Sequence, residues 1–266
     1  MDIPVFTLGE SISDEQRSFF DTHGFIRFGQ VASHEEVDRL VEALEALEAR
    51  FRAEERSKVL GTPLKWGQAK DGEPFIQRFA FASHFSKTIS EFANDPRFEP
   101  VRLFIGEDAR LGEVEGDGVV VNHWINSEGS RYRQLGWHTD GLRDLAWLRL
   151  PGPMLNVGLY LDDSPLEKGG VRLLPGTHTQ GLFKMMFRKF YFFDNRADPE
   201  EVALVAEKGD LTIHDGRLWH RTAMATVTGE ASRRRNMYMP YVQGAFHPRT
   251  ESSKTPIYHR LQGFVG

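Results

Sequence analysis

His138 and Asp140 stand two positions apart in the stretch Gln134-Leu135-Gly136-Trp137-His138-Thr139-Asp140. In an extended segment residues i and i+2 project to one face, so this imidazole and this carboxylate can grip a single metal ion together. A second imidazole, His220, comes 220 − 138 = 82 residues later. It closes the run 209–220, which reads as turn, strand, tight turn and histidine, and the separation is enough for several strands to wrap once around a barrel. Two neutral imidazoles and one carboxylate on one face of an octahedral ion leave the other face open for a cosubstrate and dioxygen (O2), which suits non-haem Fe(II) oxygenases. With ten histidines in the chain a lone His-x-Asp is a weak signal, so the surroundings have to carry it.

Arg233-Arg234-Arg235 leads into the strand-like run Asn236-Met237-Tyr238-Met239. A guanidinium at the start of a barrel strand makes a bidentate clamp for a carboxylate. 2-Oxoglutarate has one end to chelate iron and a second carboxylate for such an arginine.

The elements that must position these groups fall into two parts. Residues 13–23 start on a Ser/Asp cap and stop at Gly24, and Phe25-Ile26-Arg27-Phe28 follows as a strand. From Ser33, Val37, Leu40, Val41, Leu44, Leu47 and Phe51 recur at three- and four-residue steps, with Glu36 three residues after the cap. That pattern predicts a long amphipathic helix packed on a sheet. Residues 60–75 read as loop, and 83–105 as one or two helices interrupted at Pro96. After Gly118 short β-rich runs take over: 119–121, 154–161, 171–174, 202–206, 211–214 and 236–242, parted by Gly/Pro/Asp turns. Helices first and strands after indicate an α+β chain, mainly β, with N-terminal helices bracing a sandwich or barrel. The expected organisation is one domain over 1–266, mostly helical over 1–117, with the β core over 118–245 and a tail over 246–266.

Composition narrows the function classes. Lys+Arg 33 against Asp+Glu 38 gives a net charge of −5, so nucleic acid is not an expected partner. There is no cysteine, which excludes disulfides, thiolate metal sites and cysteine nucleophiles and leaves histidine and carboxylate as metal ligands. No apolar run is long enough to span a membrane, and the first residues do not read as a secretory signal, so the expected address is cytoplasmic.

Four motifs in order now resemble the phytanoyl-CoA dioxygenase family of Fe(II)/2-oxoglutarate oxygenases. They are Gln134 to Asp140; Leu159-Tyr160-Leu161-Asp162-Asp163 through Gly169-Gly170 to Pro175-Gly176-Thr177-His178; Gly209 to His220; and Arg234. The N-terminal pattern from Ser13 to Leu40 is similar as well. The resemblance implies a double-stranded β-helix (jelly-roll, cupin-like) with His138, Asp140 and His220 as iron ligands. It also implies Fe(II), 2-oxoglutarate and O2 as cofactor and cosubstrates, and hydroxylation of a small molecule coupled to formation of succinate and CO2. Because a carboxylate stands at Asp140, where related halogenases carry a small residue, hydroxylation is expected over halogenation.

Two departures from the family pattern bear on the site. His214 stands where an aromatic residue is usual, which makes it a competitor to His220, although a mid-strand position suits a supporting or core histidine better. An insertion-like stretch over 226–231 lengthens the spacing to the arginines. Strand alternation aims Arg234 and Arg235 at opposite faces, so Arg234 is the expected 2-oxoglutarate ligand and Arg235 the alternative. Asn122, Trp124 and Arg143 are candidate substrate contacts; Trp137, pointing away from His138, braces the sheet; and His178 is read as structural. Arg143 and Arg149 suit an anionic small-molecule substrate, and a monomer or homodimer is expected. Residues 182–193, LFKMMFRKFYFF, read as a lid, a dimer surface or a buried helix. Two competing readings are a non-catalytic or sensory barrel that binds metal or 2-oxoglutarate, and a cupin-type metalloenzyme independent of 2-oxoglutarate.

Overall fold

The computed structural model describes residues 1–69, 71–130, 132–142, 152–256 and 259. Helices α1 (Asp14–His23) and α2 (His34–Ala53) each start on a capping box. In α2, Ser33 Oγ accepts from Glu36 N while the Glu36 carboxylate accepts from Ser33 N. Val37, Leu40, Leu44, Leu47 and Phe51 form the buried stripe of α2. Each such burial contributes about 1.5–3 kcal/mol relative to exposure.

Glu36 also receives Arg97, at 2.6 Å. The hydrogen bond from Arg97 holds the Glu36 carboxyl at about 2, below its ordinary 4.5. A depressed carboxylate stabilises the fold fully above its unfolded value and loses that contribution as pH falls through its folded value. Glu36→Gln is therefore expected to lower the melting temperature at pH 7 and to flatten its decline between pH 4.5 and about 2, as read by thermal melts across pH.

Strands β1 (Val5–Phe6) and β2 (Phe25–Phe28) pair in parallel, and β3 (Lys58–Val59) pairs with β4 (Thr62–Pro63). Next come β5 (Lys65–Gln68), β6 (Pro74–Phe79), α3 (Ala82–Phe85), α4 (Lys87–Ala93) and a 3-10 helix over Pro96–Phe104. The core strands are β7 (Arg110–Leu111), β8 (Val120–Asn126), β9 (Leu135–His138), β10 (Met154–Tyr160) and β11 (Gly170–Leu173). After α5 (Leu182–Phe187) the chain continues as β12 (Val202–Ala203), β13 (Leu211–Asp215), β14 (His220–Ala223) and β15 (Gly229–Val242).

Two sheets carry the architecture. The larger runs β1-β2-β13-β10-β15-β8-β6-β5, with β7 also on β15, and the smaller runs β12-β11-β14-β9. Period-two alternation divides the larger sheet. Leu155, Val157, Leu159, Leu211, Ile213, Met237 and Met239 pack with the α2 stripe in one core cluster. Asn156, His214, Arg234 and Tyr238 project from the other face and line the cavity. This is the double-stranded β-helix braced by helices that the resemblance implies.

The N-terminal part is less helical than its composition suggests. The stretch 60–75, read as loop, contains β4, β5 and the start of β6. A four-residue strand is too short to show alternation, and β5 exists because β6 offers it an edge. Among the described residues no helix is long and apolar enough to cross a membrane.

Candidate active site

In the register of β9 and β14, His138 and His220 are direct antiparallel partners. Their ring centroids lie 4.1 Å apart. Asp140 follows just past the end of β9, and its Oδ2 is 3.6 Å from His220 Nε2. One donor atom from each of His138, Asp140 and His220 falls within 4.8 Å of the others. Nδ1 of His138 sits 2.8 Å from Gly136 O, and Nδ1 of His220 sits 2.9 Å from Leu218 O. An imidazole whose Nδ1–H donates to a backbone carbonyl keeps its Nε2 lone pair for a metal.

A tryptophan precedes each histidine, and alternation sends both the other way. Trp137 and Trp219 are fully buried with Leu174 behind the donor pair. Trp137 Nε1 donates to Arg196 O at 2.8 Å, and the Lys189 ammonium and Arg221 guanidinium lie 5.1 and 5.6 Å from its ring. Trp137 is thus the brace expected.

His214 lies outside the donor group. It sits in the larger sheet, directly opposite Asn156. Asn156 Nδ2 donates to Asp140 Oδ2 and lies 3.2 Å from His214 Nε2. Burial, reinforced by His220, pushes His214 down to about 3, so it is neutral and suited to accept a hydrogen bond. His214 therefore supports the amide that holds the carboxylate. Asn156 was not among the candidate residues. The pairing of β10 with β13 sets it opposite His214, and its Nδ2 reaches the Asp140 carboxylate from there.

The three arginines separate as alternation requires. Arg234 is buried; its Nε donates to Lys168 O at 3.0 Å and its guanidinium lies 5.1 Å from the Trp124 ring. It has no carboxylate partner among the described residues, and burial pulls it down to about 10, still charged at neutral pH. Arg235, on the opposite face, makes a two-pronged bond to Asp162 at 2.9 and 2.8 Å and reaches Glu45 at 3.5 Å. Arg233 pairs with Glu230 at the surface.

Arg234 and the donor triad open on one cavity of about 770 Å³, which Asn122, Trp124, Leu135, Met154, Phe192 and Tyr238 also line. Pockets for drug-sized ligands span about 300–1,000 Å³. Arg143 and Arg149 lie outside the described residues. His178 is buried beside Phe20 and Gly24 and takes no part in the donor group.

Residues 182–193 do not form a buried helix. Phe183 and Phe187 on α5 are exposed, as are Phe190 and Phe193. Tyr191 and Phe192 turn inward instead. The Phe192 ring stacks on His138, with centroids 4.9 Å apart and planes at 25°. Tyr191 Oη donates to Thr139 O at 2.9 Å. Phe192 N donates to Trp137 O and Trp137 N to Asp194 O, both at 2.8 Å, so the segment lies along β9 as a wall over the donor.

Gly136 makes this approach possible, since a Cβ there would stand 2.2 Å from Phe192 O. Gly136→Ala is expected to push Phe192 off His138 and weaken metal binding about 10–100-fold, the usual range for groups that orient a ligand. Isothermal titration with Fe(II) or Mn(II) under anaerobic conditions reads this directly.

Two imidazoles and a carboxylate between the sheets of a β-helix, with a buried arginine on the same cavity, define a non-haem metal oxygenase of the double-stranded β-helix class. The model of the phytanoyl-CoA dioxygenase (PhyH) family matches residues 20–234, and the chain belongs to that family. It is a 2-oxoglutarate-dependent non-haem iron oxygenase. No curated protein matches the sequence.

Among solved structures, HygX from Streptomyces hygroscopicus with nickel and 2-oxoglutarate bound is similar at 19% identity and TM-score 0.63, over 90% of this chain and 90% of that one. The epimerase SnoN in complex with Fe3+, α-ketoglutarate and nogalamycin RO is similar at 20% identity and TM-score 0.60, over 90% of this chain and 87% of its own. The carbocyclase SnoK from nogalamycin biosynthesis is similar at 18% identity and TM-score 0.63, over 92% and 90%. At these identities the likeness is one of fold.

Proposed function

We propose that residues 1–266 form one oxygenase unit that hydroxylates a small molecule, with His138, Asp140 and His220 holding Fe(II) and Arg234 clamping 2-oxoglutarate. The observation that carries this reading is the buried Arg234 guanidinium, which opens on the cavity of the donor triad and has no carboxylate of its own among the described residues. A buried charge of this kind calls for a bound anion. The donor set fits iron, since both histidines keep Nε2 available and the third donor is a carboxylate. The HygX and SnoN complexes, each with a metal and 2-oxoglutarate, support the same pair here.

Iron, when bound, supplies dioxygen activation coupled to decarboxylation of 2-oxoglutarate to succinate and CO2, with transfer of oxygen to the substrate. The chain's own residues bind, orient and exclude water. Arg234 fixes the far carboxylate of 2-oxoglutarate, and the Trp124 ring beneath it keeps the guanidinium in place. Asn156 holds the Asp140 carboxylate, which would serve as the third donor to iron. Phe192 covers the His138 ring and shields that side from water. Asn122 and Trp124, which line the cavity, contact the substrate in this reading. An anionic substrate, a monomer or homodimer and a cytoplasmic location belong to the same reading.

Anaerobically purified protein given Fe(II), 2-oxoglutarate and O2 should release succinate, and a panel of small molecules should identify those that accelerate the release and gain one oxygen. Tight 2-oxoglutarate binding with no O2 consumption across the panel would indicate a sensor. Turnover indifferent to 2-oxoglutarate would indicate a cupin-type enzyme of another kind.

A further inference from the structure

The cavity that contains the donor triad extends to a second charged region. Lys65 and Arg78 are register partners on β5 and β6, and Arg78 is the partner of Asn122 on β8. Trp124, two residues along β8, is the partner of Arg234. Arg78 is thus two strands across and two residues along from Arg234, which by strand spacing and rise is about 12 Å between Cα atoms. Both arginines line the same cavity.

In this second region one guanidinium nitrogen has a bond to spare. Arg78 Nη2 donates to Asp117 Oδ2 at 2.9 Å, whereas its Nη1 is buried with no hydrogen-bond partner among the described residues. Asp117 is shared, since Oδ1 also accepts from Thr62 Oγ1 at 3.3 Å and lies 2.9 Å from His259 Nε2. Glu115, the other acid lining this part of the cavity, is taken by Arg110 at 3.0 and 2.9 Å. The Lys65 ammonium sits 4.5 Å from the Tyr132 ring. Burial, with Arg78 as a neighbouring cation and Asp117 opposing, pushes Lys65 down to about 7.

We propose that Arg78, with Lys65 beside it, is the subsite that receives an anionic group of the substrate, a carboxylate or a phosphate, apart from the arginine that takes the cosubstrate. The proposal rests on Arg234 being the 2-oxoglutarate clamp. One cavity then holds two anion positions about 12 Å of backbone apart, and the substrate spans from the second of them toward the donor triad. A bare hydroxyl in its place would leave Arg78 Nη1 without its charge-assisted bond.

The test uses the full chain loaded with Mn(II) and saturating 2-oxoglutarate, without O2, titrated calorimetrically with phenyl phosphate, phenylacetate and neutral phenethyl alcohol. At least one anion should bind about tenfold or more tightly than the alcohol, and Arg78→Gln should erase that preference. The stronger of the two anions tells phosphate from carboxylate. Arg234→Gln should weaken 2-oxoglutarate while keeping the ratio of anion to alcohol. Equal affinities in the wild type, or a preference that survives Arg78→Gln, overturns the proposal. A preference lost in Arg234→Gln instead places the anion at the cosubstrate position, which overturns it while sparing the clamp. Failure of 2-oxoglutarate itself to bind overturns the clamp reading and leaves the comparison of anion with alcohol readable by itself. Should Arg78→Gln not fold, Lys65→Met must reduce the preference severalfold, and an unchanged ratio there is equally fatal.

Discussion

Replacing His138 or Asp140 with alanine is expected to abolish 2-oxoglutarate-dependent succinate formation while leaving a folded chain. Each supplies one donor of a three-donor set, and the remaining two would be too few to hold Fe(II). Loss of activity should exceed the 10–100-fold that follows from removing a group that merely orients a ligand. Asn156→Ala provides that milder comparison, since it frees the Asp140 carboxylate without removing it. Anaerobic metal titration and succinate release measured together check both variants. Undiminished turnover in His138→Ala or Asp140→Ala would falsify the site. The fold should survive because Trp137, Trp219 and Leu174, behind the histidines, are untouched.

Arg234→Met is expected to raise the KM for 2-oxoglutarate about a hundredfold or more. Breaking one partner of a buried charge pair costs about 3–5 kcal/mol, and each 1.4 kcal/mol is tenfold in affinity. Arg234→Lys should recover only part of this, since an ammonium keeps the charge but not the planar fork. Arg235→Met tests the register of β15. Arg235 faces away from the cavity and holds Asp162, so its loss should lower the melting temperature and leave the KM for 2-oxoglutarate near its wild-type value. Steady-state kinetics in 2-oxoglutarate and thermal melts separate the two. A KM raised by Arg235→Met and not by Arg234→Met would mean that the wrong face of β15 has been assigned.

Much of this site is visible in the chain before it folds, because its parts are local. The i, i+2 spacing of His138 and Asp140 suits two donors that converge, and the alternation of Arg234 with Arg235 predicts that only one enters the cavity. The capping boxes of α1 and α2 and the apolar stripe from Val37 to Phe51 are equally local, and these elements form where the pattern places them. β5 is different, because its four residues carry no periodicity and its edge comes from β6.

Pairing between distant strands settled the rest. His214 competes with His220 along the chain, with its mid-strand position already against it, and the pairing agrees: β14 lies against β9 and sets His220 opposite His138, whereas β13 lies against β10 and sets His214 opposite Asn156. Phe192 belongs to an apolar run with no evident inward face, and it covers His138 because Gly136 admits its carbonyl against β9. The sequence by itself determined the donor types, the family and the helices that brace the sheet, since these depend on residues close together in the chain. Only the tertiary structure decided what surrounds the donors, Asn156 on the carboxylate and Phe192 on His138, because strand register converts sequence separation into contact and a shift of one residue sends every side chain to the other face.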